Sequence, residues 1–293
     1  MKDTLPTPVA GPAIVNVSGG RSSGLMLHML LRAHGGALPA DVVPVFCNTG
    51  EEAEGTLVFV REMSERWGVR IRWIEFIAEA RPDVAPDLAH WREVDYCTAS
   101  RAGEPFDALV DWKRYLPNPT QRLCSEWLKV RAAMGFAASL GFPTKRVRNE
   151  RTKRTDTLAD FTQCLGIRAD EPSRVAKNRA KEHVELPLVD AGIARGDVLA
   201  FWDAQPFDLQ IRPGEGNCRL CFEKGVAQLR NVAMSAPDEA GLSRWTGREE
   251  RIGATMKKAH PYGQLAAFVR RQLPMLVQET AEDLDPRPCA CGD

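Results

Sequence analysis

Short apolar runs alternate with amphipathic stretches over the N-terminal quarter of the chain. Residues 13–17 and 42–46 are nearly all apolar, as in strands buried on both faces of a parallel sheet. Residues 24–32 and 56–67 place apolar side chains at helical spacing. Residues 69–76 alternate apolar and basic positions, which predicts a half-exposed strand near a sheet edge. This order of elements predicts an α/β fold with a mostly parallel, twisted sheet and helices on both faces.

The rest of the chain divides into an insertion, a few further elements and a cysteine-rich end. Periodicity fades and prolines recur over 77–121, which predicts an insertion of loops and short helices. Further elements are expected in this order: a helix at 125–140, a strand running into a loop at 163–170, a helix from 196 that stops before Pro206, and a helix at 262–272. We therefore expect an α/β domain over 1–212 and a mainly helical, Cys-rich extension over 213–293, packed on the core.

The bulk composition is that of an ordinary globular protein. The 293 residues are 44% hydrophobic and 27% charged, and 39 Lys and Arg balance 39 Asp and Glu. Because no whole-molecule field draws the protein to polyanions, any nucleic-acid contact must be a local patch. No apolar run reaches the length of a signal peptide or a membrane span, so we expect a cytoplasmic protein without membrane contact. In that compartment the eight cysteines indicate metal binding or catalysis rather than structural disulfides.

A glycine- and serine-rich loop, SGGRSS at residues 18–23, stands between the first predicted strand and helix. Its glycines let backbone N–H groups point inward, its serine hydroxyls add donors, and the helix contributes its positive N-terminal end. It is neither a Walker-type loop nor a G-x-G-x-x-G fingerprint. Since ligands of open α/β sheets bind at the carboxyl ends of strands, the loop is predicted to hold phosphate.

With its surroundings, this loop resembles the SGG-x-[DS]-S pyrophosphate loop of the PP-loop ATP pyrophosphatase superfamily. Four further stretches resemble, in order, the phosphoadenosine phosphosulfate (PAPS) reductase family of that superfamily: FCNTGEE (46–52), RLCSEWLK (122–129), LGIRADE (165–171) and GNCRLCFEKG (216–225). The last is common in phage-type and prophage-type members. The resemblance implies a Rossmann-like, adenine nucleotide alpha hydrolase-like fold. It also implies an adenine nucleotide as ligand: ATP, adenylyl sulfate (APS) or PAPS.

The loop chemistry and the resemblance together predict the nucleotide site. The predicted nucleotide-binding residues are Ser18, Gly19, Gly20, Arg21, Ser22, Ser23, Asn48, Thr49, Gly50, Gly166 and Arg168. Arg21 and Arg168 are also the predicted catalytic cations, because guanidinium groups can bind phosphate through two donors. Many ATP-using PP-loop enzymes carry Asp at the position of Arg21. The arginine removes an acid that could help organise Mg²⁺, so nucleotide binding is expected and cleavage of Mg-ATP is left open.

Cysteine spacing predicts a metal or iron–sulfur site. Cys218 and Cys221 form C-x-x-C, which lets two thiolates reach one metal. Cys124 begins a predicted helix, whose dipole favours the thiolate, and the resemblance brings it near the C-x-x-C. Three cysteines fit a [4Fe–4S] cluster with one open iron, whereas a fourth would fit Zn²⁺ or a fully ligated cluster. Cys289 completes the predicted ligand set, with Cys164 and Cys291 as alternatives.

A catalytic role for Cys291 is the rival hypothesis for the C-terminus. PAPS reductases use a nucleophilic cysteine in an E-C-G-[IL]-H stretch, and the terminal ACGD is similar to it. Cys291 lacks both the preceding Glu and the following His.

The basic stretch at 145–154 is the one sequence hint of a macromolecular acceptor. Lysines and arginines crowd this segment, which is predicted to be a solvated loop. The alternative is a local patch for the backbone of a tRNA or DNA acceptor, with binding that weakens steeply with salt. The stretch contains no aromatic residues for base stacking.

Three functions stay open at this point. The first is an enzyme that activates an acceptor with ATP, releasing pyrophosphate, and then transfers sulfur through the cysteine site. The second is an APS or PAPS reductase that releases sulfite in a thiol-dependent reaction. The third is a nucleotide-binding partner protein without catalysis, which the arginine at position 21 would suit. The oligomeric state is not predicted.

Overall fold

A six-stranded sheet forms the centre of the fold. The computed structural model describes residues 5–148, 150, 153, 155–216, 218–235 and 241–272. The strands are β1 (Ala13–Asn16), β2 (Val42–Asn48), β3 (Arg72–Glu75), β4 (Arg92–Val94), β5 (Thr144–Arg148), β6 (Thr155–Ala159), β7 (Thr162–Leu165) and β8 (Val184–Glu185). The central sheet has the order β4-β3-β2-β1-β7-β8, and β5 pairs with β6 in a separate hairpin.

The sheet is parallel except at one edge, where β4 runs antiparallel to β3. β1 lies in the middle, with Ile14 opposite Val43 of β2 on one side and Gln163 of β7 on the other. The chain first extends the sheet from β1 through β2 to β3 and later adds β7 and β8 on the other side. Such a reversal of strand order opens a crevice at the carboxyl ends of the strands that flank it.

Helices cover both faces of the sheet. They are α1 (Arg21–Ala33), α2 (Glu54–Trp67), α3 (Glu104–Lys113), α4 (Leu123–Ser125), α5 (Ala132–Ser139), α6 (Pro172–Arg179), α7 (Pro187–Asp190), α8 (Arg195–Asp203), α9 (Val226–Ser235), α10 (Leu242–Ile252) and α11 (Tyr262–Gln272), with a 3₁₀ turn at Pro86–Leu88 and a π-helical turn at Glu126–Arg131 between α4 and α5. Helices α1, α2 and α8 pack on one face, in a cluster that includes Val15 and Met63. α5 packs on the other, where Phe136 joins Ile14. The predicted mixed α/β fold, with a mostly parallel sheet flanked by helices, is confirmed.

Most of the predicted elements are present. The strands predicted at 13–17 and 42–46 are β1 and β2, and the helices predicted at 24–32, 56–67 and 262–272 are α1, α2 and α11. The later predictions at 125–140, 163–170 and 196–205 correspond to α4 through α5, to β7 and to α8. α9 and α10 were not predicted.

Two predictions are wrong. β3 is not half-exposed: Trp73, Ile74 and Glu75 are buried, because β4 pairs along its outer edge and hydrophobic clusters cover both of its faces. Residues 145–148 are not a loop but belong to β5, which pairs with β6 through five opposed residues. Little of the surface of this hairpin is buried, as the exposed Val147 shows. Its sequence therefore lacks the hydrophobic alternation that identifies a half-buried strand.

The chain beyond residue 212 shares a hydrophobic core with the insertion. Phe106 of α3 packs against Trp245 of α10, with ring centroids 5.2 Å apart, in a buried cluster that also contains Tyr262. A fully buried ion pair lies beside it, with Arg248 Nη2 2.7 Å from a carboxylate oxygen of Glu51. These contacts attach α10 and α11 to the segment that follows β2. Among the described residues, no helix is long and apolar enough to cross a membrane.

Candidate nucleotide site and cysteine cavity

The loop at residues 18–23 is held in a compact turn by its own serines. The Ser23 hydroxyl accepts a hydrogen bond from the Ser18 backbone N–H, lies 3.0 Å from Ser18 Oγ and donates to the Gly20 carbonyl at 2.9 Å. Gly19 has a φ of +79°, and a Cβ there would lie 2.5 Å from Thr56 Cγ2. A side chain at Gly19 is therefore excluded both by conformation and by space. The turn leads directly into α1, a 13-residue helix whose N-terminal end favours anions.

The segment after β7 meets this loop. β7 pairs in parallel with β1, so their carboxyl ends lie side by side. Gly166 contacts the loop directly, because a Cβ there would lie 2.8 Å from Ser23 Cα. Arg168 extends to the loop and lies 3.4 Å from the Ser22 hydroxyl, while Asp170 accepts a hydrogen bond from its Nε at 2.8 Å. The structure thus brings together two of the predicted segments at the reversal of strand order.

Arg21 makes a bidentate ion pair with Asp208. Its Nε and Nη2 donate to the two carboxylate oxygens of Asp208 at 2.7 Å each, and Nη2 also donates to the Leu209 carbonyl. The Arg21 carbonyl accepts a hydrogen bond from the Trp202 indole. These contacts fasten the loop to α8 and to the segment that follows it. Asp208 lies nearly 190 residues from Arg21 in the sequence, so the sequence alone could not identify it as the partner of Arg21.

The third predicted segment, after β2, is braced by buried polar contacts. Asn48 donates to Glu75 at 2.7 Å and to the Ser100 carbonyl at 2.9 Å. Thr49 donates through both its backbone N–H and its hydroxyl to the carboxylate of Glu52. Burial raises the pKa of Glu52, and the nearby positive charge of a lysine partly opposes that shift. These groups order the end of β2 rather than presenting unpaired donors.

A cavity of about 480 Å³ opens at the carboxyl ends of β1, β2 and β7. This volume is in the range of small-molecule sites. Ser18 of the loop lines one part of it, and its remaining walls combine apolar with polar and charged side chains: Asn16, Val17, Val45, Cys47, Ser125, Lys129, Val130, Met134, Lys145, Leu158, Ala159, Gln163, Leu165, Lys181, Glu182 and Val184. A cavity with mixed apolar and polar walls beside a glycine- and serine-rich loop is a candidate small-molecule site.

The three cysteines predicted to share a metal do share a cavity. Cys124, Cys218 and Cys221 line a small space of about 20 Å³, large enough for a single water-sized occupant. All three are buried in the hydrophobic cluster that joins the insertion to the C-terminal helices. Ser125 and Lys129 line both this cavity and the larger one, so the two cavities share a wall.

The described residues do not contain an assembled metal site. No group of three or more His, Cys, Asp or Glu side chains within them is arranged to hold a metal ion. Cys164 is buried in β7, in the separate cluster under α1, so it does not join the other three cysteines. Cys289 and Cys291 lie outside the described residues. The three thiols therefore have the chemistry of metal ligands and line one cavity. They do not have the geometry of a complete metal site.

Sequence reasoning missed the position of Ser125 and Lys129. Both belong to the RLCSEWLK stretch, but a lysine on a helix is ordinarily solvated, and nothing in the periodicity places it between two cavities. A π-helical turn at 126–131 contains Lys129 and begins directly after Ser125. Such turns are frequent at functional sites.

Comparison with known proteins relates the chain to a phage protein. No family model matches the chain. A protein of Escherichia phage lambda, described as "Uncharacterized nin region protein ORF290", is 29% identical to it over 238 residues. The match covers 79% of this chain and 71% of the phage protein. The likeness therefore extends over most of both chains.

Proposed function

We propose that the protein is a PP-loop enzyme of the PAPS reductase family, with an adenine nucleotide alpha hydrolase-like fold and a Cys-rich C-terminal extension. It activates an acceptor with ATP for sulfur transfer or a related modification. The observation that carries the proposal is the shared wall, because Ser125 and Lys129 separate the cavity beside the phosphate-type loop from the cavity with three thiols. Nucleotide chemistry and sulfur chemistry would thus take place side by side. The likeness to a phage lambda protein is in keeping with the phage-type resemblance of the cysteine segment.

In this mechanism, the nucleoside lies in the larger cavity and its phosphates lie on the loop at 18–23. The acceptor oxygen attacks the α-phosphorus, the bond from that phosphorus to the bridging oxygen breaks, and pyrophosphate leaves with the bonding electrons. Backbone N–H groups of the loop and the N-terminal end of α1 stabilise the charge that develops on the phosphates. Arg168, next to Ser22, supplies the side-chain cation.

Arg21 acts in this scheme as a positioning residue. Its guanidinium is bound to Asp208 through two hydrogen bonds, and its carbonyl is bound to Trp202. Both contacts hold the backbone that follows Gly20 in place. A preorganised loop is needed because electrostatic stabilisation works only when donors already point at the developing charge.

The three shared-cavity cysteines are the proposed sulfur site. Cys124, Cys218 and Cys221 would hold a zinc ion, which suits the single-occupant cavity that they line, or an iron–sulfur cluster if the walls of the cavity moved apart. Cys289 or Cys291 would complete the ligand set where a fourth thiolate is needed. Bound zinc would order the site, whereas a cluster with an open iron would supply a place for sulfur. Lys129, on the wall between the cavities, brings a positive charge close to both the nucleotide and the thiols.

The test is anaerobic purification followed by measurement of iron, zinc and acid-labile sulfide per chain. The proposal predicts bound metal that is lost in Cys124→Ser and kept in Cys97→Ser, because Cys97 is exposed and lies outside the cavity. Pyrophosphate release from ATP in the presence of acceptor would support activation. Thiol-dependent sulfite release from APS or PAPS without ATP would support the reductase instead. A metal-free protein with neither reaction would contradict both.

A further inference from the structure

Two aromatic side chains are partly exposed at the C-terminal end of α3 and just after it. Trp112, in α3, is 36% exposed, and Tyr115, just after it, is 41% exposed. The Trp112 ring is anchored on its inner side, with its centroid 4.3 Å from that of His90 and 4.7 Å from that of Trp127. Asn118 donates a hydrogen bond to the Tyr115 hydroxyl. The rings are thus fixed in place with part of their surface in solvent, and a base can stack only on the part of Trp112 that the Lys113 ammonium over its ring leaves open.

Cations accompany these rings. The Lys113 ammonium lies 3.7 Å from the centroids of both Trp112 and Trp127. The guanidinium carbon of Arg131 lies 4.7 Å from the centroid of Trp127. A base stacked on this surface would bring its phosphate close to a positive charge. Aromatic faces with adjacent cations are the combination that binds single-stranded nucleic acids.

The basic hairpin is attached to the same surface by Arg131. One guanidinium nitrogen of Arg131 lies 3.2 Å from Asp156 of β6 and another lies 3.1 Å from Asp87. Asp87 also accepts hydrogen bonds from the backbone and hydroxyl of Thr157. Residues 145–154 contain no aromatic side chains. The aromatic rings of this surface therefore come from Trp112 of α3 and Trp127 of the π-helical turn.

The charge of this region is strongly asymmetric. Within 110–131 and 144–159, the residues that the structure describes include nine Lys and Arg but only four Asp and Glu, in a chain whose total charge is zero. Val130 and Leu158, both more than 40% exposed, lie on these two segments and line the nucleotide cavity. The hairpin and the π-helical turn therefore border the cavity in which the acceptor would be activated.

We propose that this surface binds a single-stranded segment of nucleic acid. Bases stack on Trp112 and Tyr115, phosphates contact Lys113 and the arginines of β5, and the strand leads to the cavity. The assignment of this strand as the acceptor rests on the function proposed above, whereas its binding does not require ATP. An acidic polypeptide could bind the basic side chains but would not stack on the aromatic rings. In a duplex the base faces are stacked on one another, so they could not stack on these rings.

Fluorescence anisotropy with labelled oligothymidylate and oligouridylate tests the proposal. We expect both to bind, with affinity that falls about 50-fold between about 50 and 200 mM salt if four phosphates are contacted. Trp112→Ala should weaken binding at least about fivefold, as loss of one stacked base does. Arg148→Ala should weaken it and reduce the salt dependence, whereas Arg70→Ala, which removes another exposed arginine, should not. A preference that persists when oligodeoxyuridylate replaces oligothymidylate identifies RNA or DNA as the source.

Three results would overturn the proposal. They are absence of binding at the lower salt concentration, binding that both Trp112→Ala and Arg148→Ala leave unchanged, and displacement by polyglutamate at concentrations similar to those of the oligonucleotide. Circular dichroism of each variant shows that it is folded. ATP binding, measured on the same preparations, separates this proposal from the previous one, because the nucleotide site can be intact when the strand does not bind.

Discussion

Replacing Gly166 by alanine tests how closely the segment after β7 supports the phosphate-type loop. The new Cβ would lie 2.8 Å from Ser23 Cα and 3.0 Å from Ser23 N, and both of these atoms belong to the backbone. Carbon atoms make ordinary contact from about 3.4 Å, so the loop would have to move by roughly half an ångström. The φ of Gly166 lies outside the left-handed region, so the effect is one of packing and not of conformation.

The expected change in the free energy of unfolding has two opposing contributions. Overpacking of this kind costs about 1–3 kcal/mol, and reduced freedom of the unfolded chain returns about 0.4–1 kcal/mol. The net loss of about 1–2 kcal/mol corresponds to a fall in Tm of roughly 2–8 °C for a chain of this size. Because the strain is located in the loop, part of the binding free energy of ATP must be used to restore the loop geometry. ATP affinity should therefore fall by about tenfold.

Differential scanning fluorimetry with and without ATP measures both effects, and Gly247 offers a matched control. Gly247 lies within α10, and a Cβ there would meet no atom within 4 Å. Gly247→Ala should therefore raise Tm, since alanine in a helix interior is favoured by about 0.5–1 kcal/mol. If Gly166→Ala left both Tm and the ATP-induced shift unchanged, the close contact between the two segments would be refuted.

Three further predictions follow. Arg21→Lys loses the bidentate pair with Asp208, so chemical denaturation should show a loss of about 1 kcal/mol, and ATP affinity should fall because the pair positions the loop; Asp208→Asn should lower affinity to a similar extent, and a much larger loss in Arg21→Lys would make Arg21 a phosphate ligand. Iodoacetamide at about pH 8 should modify the exposed Cys97 and spare Cys164, whose pKa is raised by burial; mass spectrometry of the native protein decides this. Burial raises the pKa of Glu52 above 4.5, so stability should fall as pH rises from that value, and Glu52→Gln should flatten this slope in denaturation curves; equal slopes would contradict it.

The sequence was informative where structure is local. The strands β1 and β2, the helices between and after them, and the loop at 18–23 follow from periodicity and glycine placement over short windows. Parallel pairing then places Gly166 and Arg168 beside that loop, because both follow a strand next to β1.

Features set by distant partners could not be predicted. The pairing of Arg21 with Asp208 joins two loops that have no shared sequence pattern. The hairpin at 144–159 has exposed apolar and basic side chains on its strands, so its alternation resembles that of a solvated segment. The shared wall formed by Ser125 and Lys129 lies at the start of a π-helical turn, for which the apolar pattern gives no signal.

Calorimetric titration of ATP into wild-type protein and Ser23→Ala tests the central claim most directly. The Ser23 hydroxyl holds the loop closed through Ser18 and Gly20, so its loss should weaken ATP binding by about tenfold. Ser139→Ala removes a comparable hydroxyl contact at the end of α5 and should bind like wild type. Equal affinity of all three proteins, or no binding of ATP to wild type, would contradict the assignment of this loop as the phosphate site.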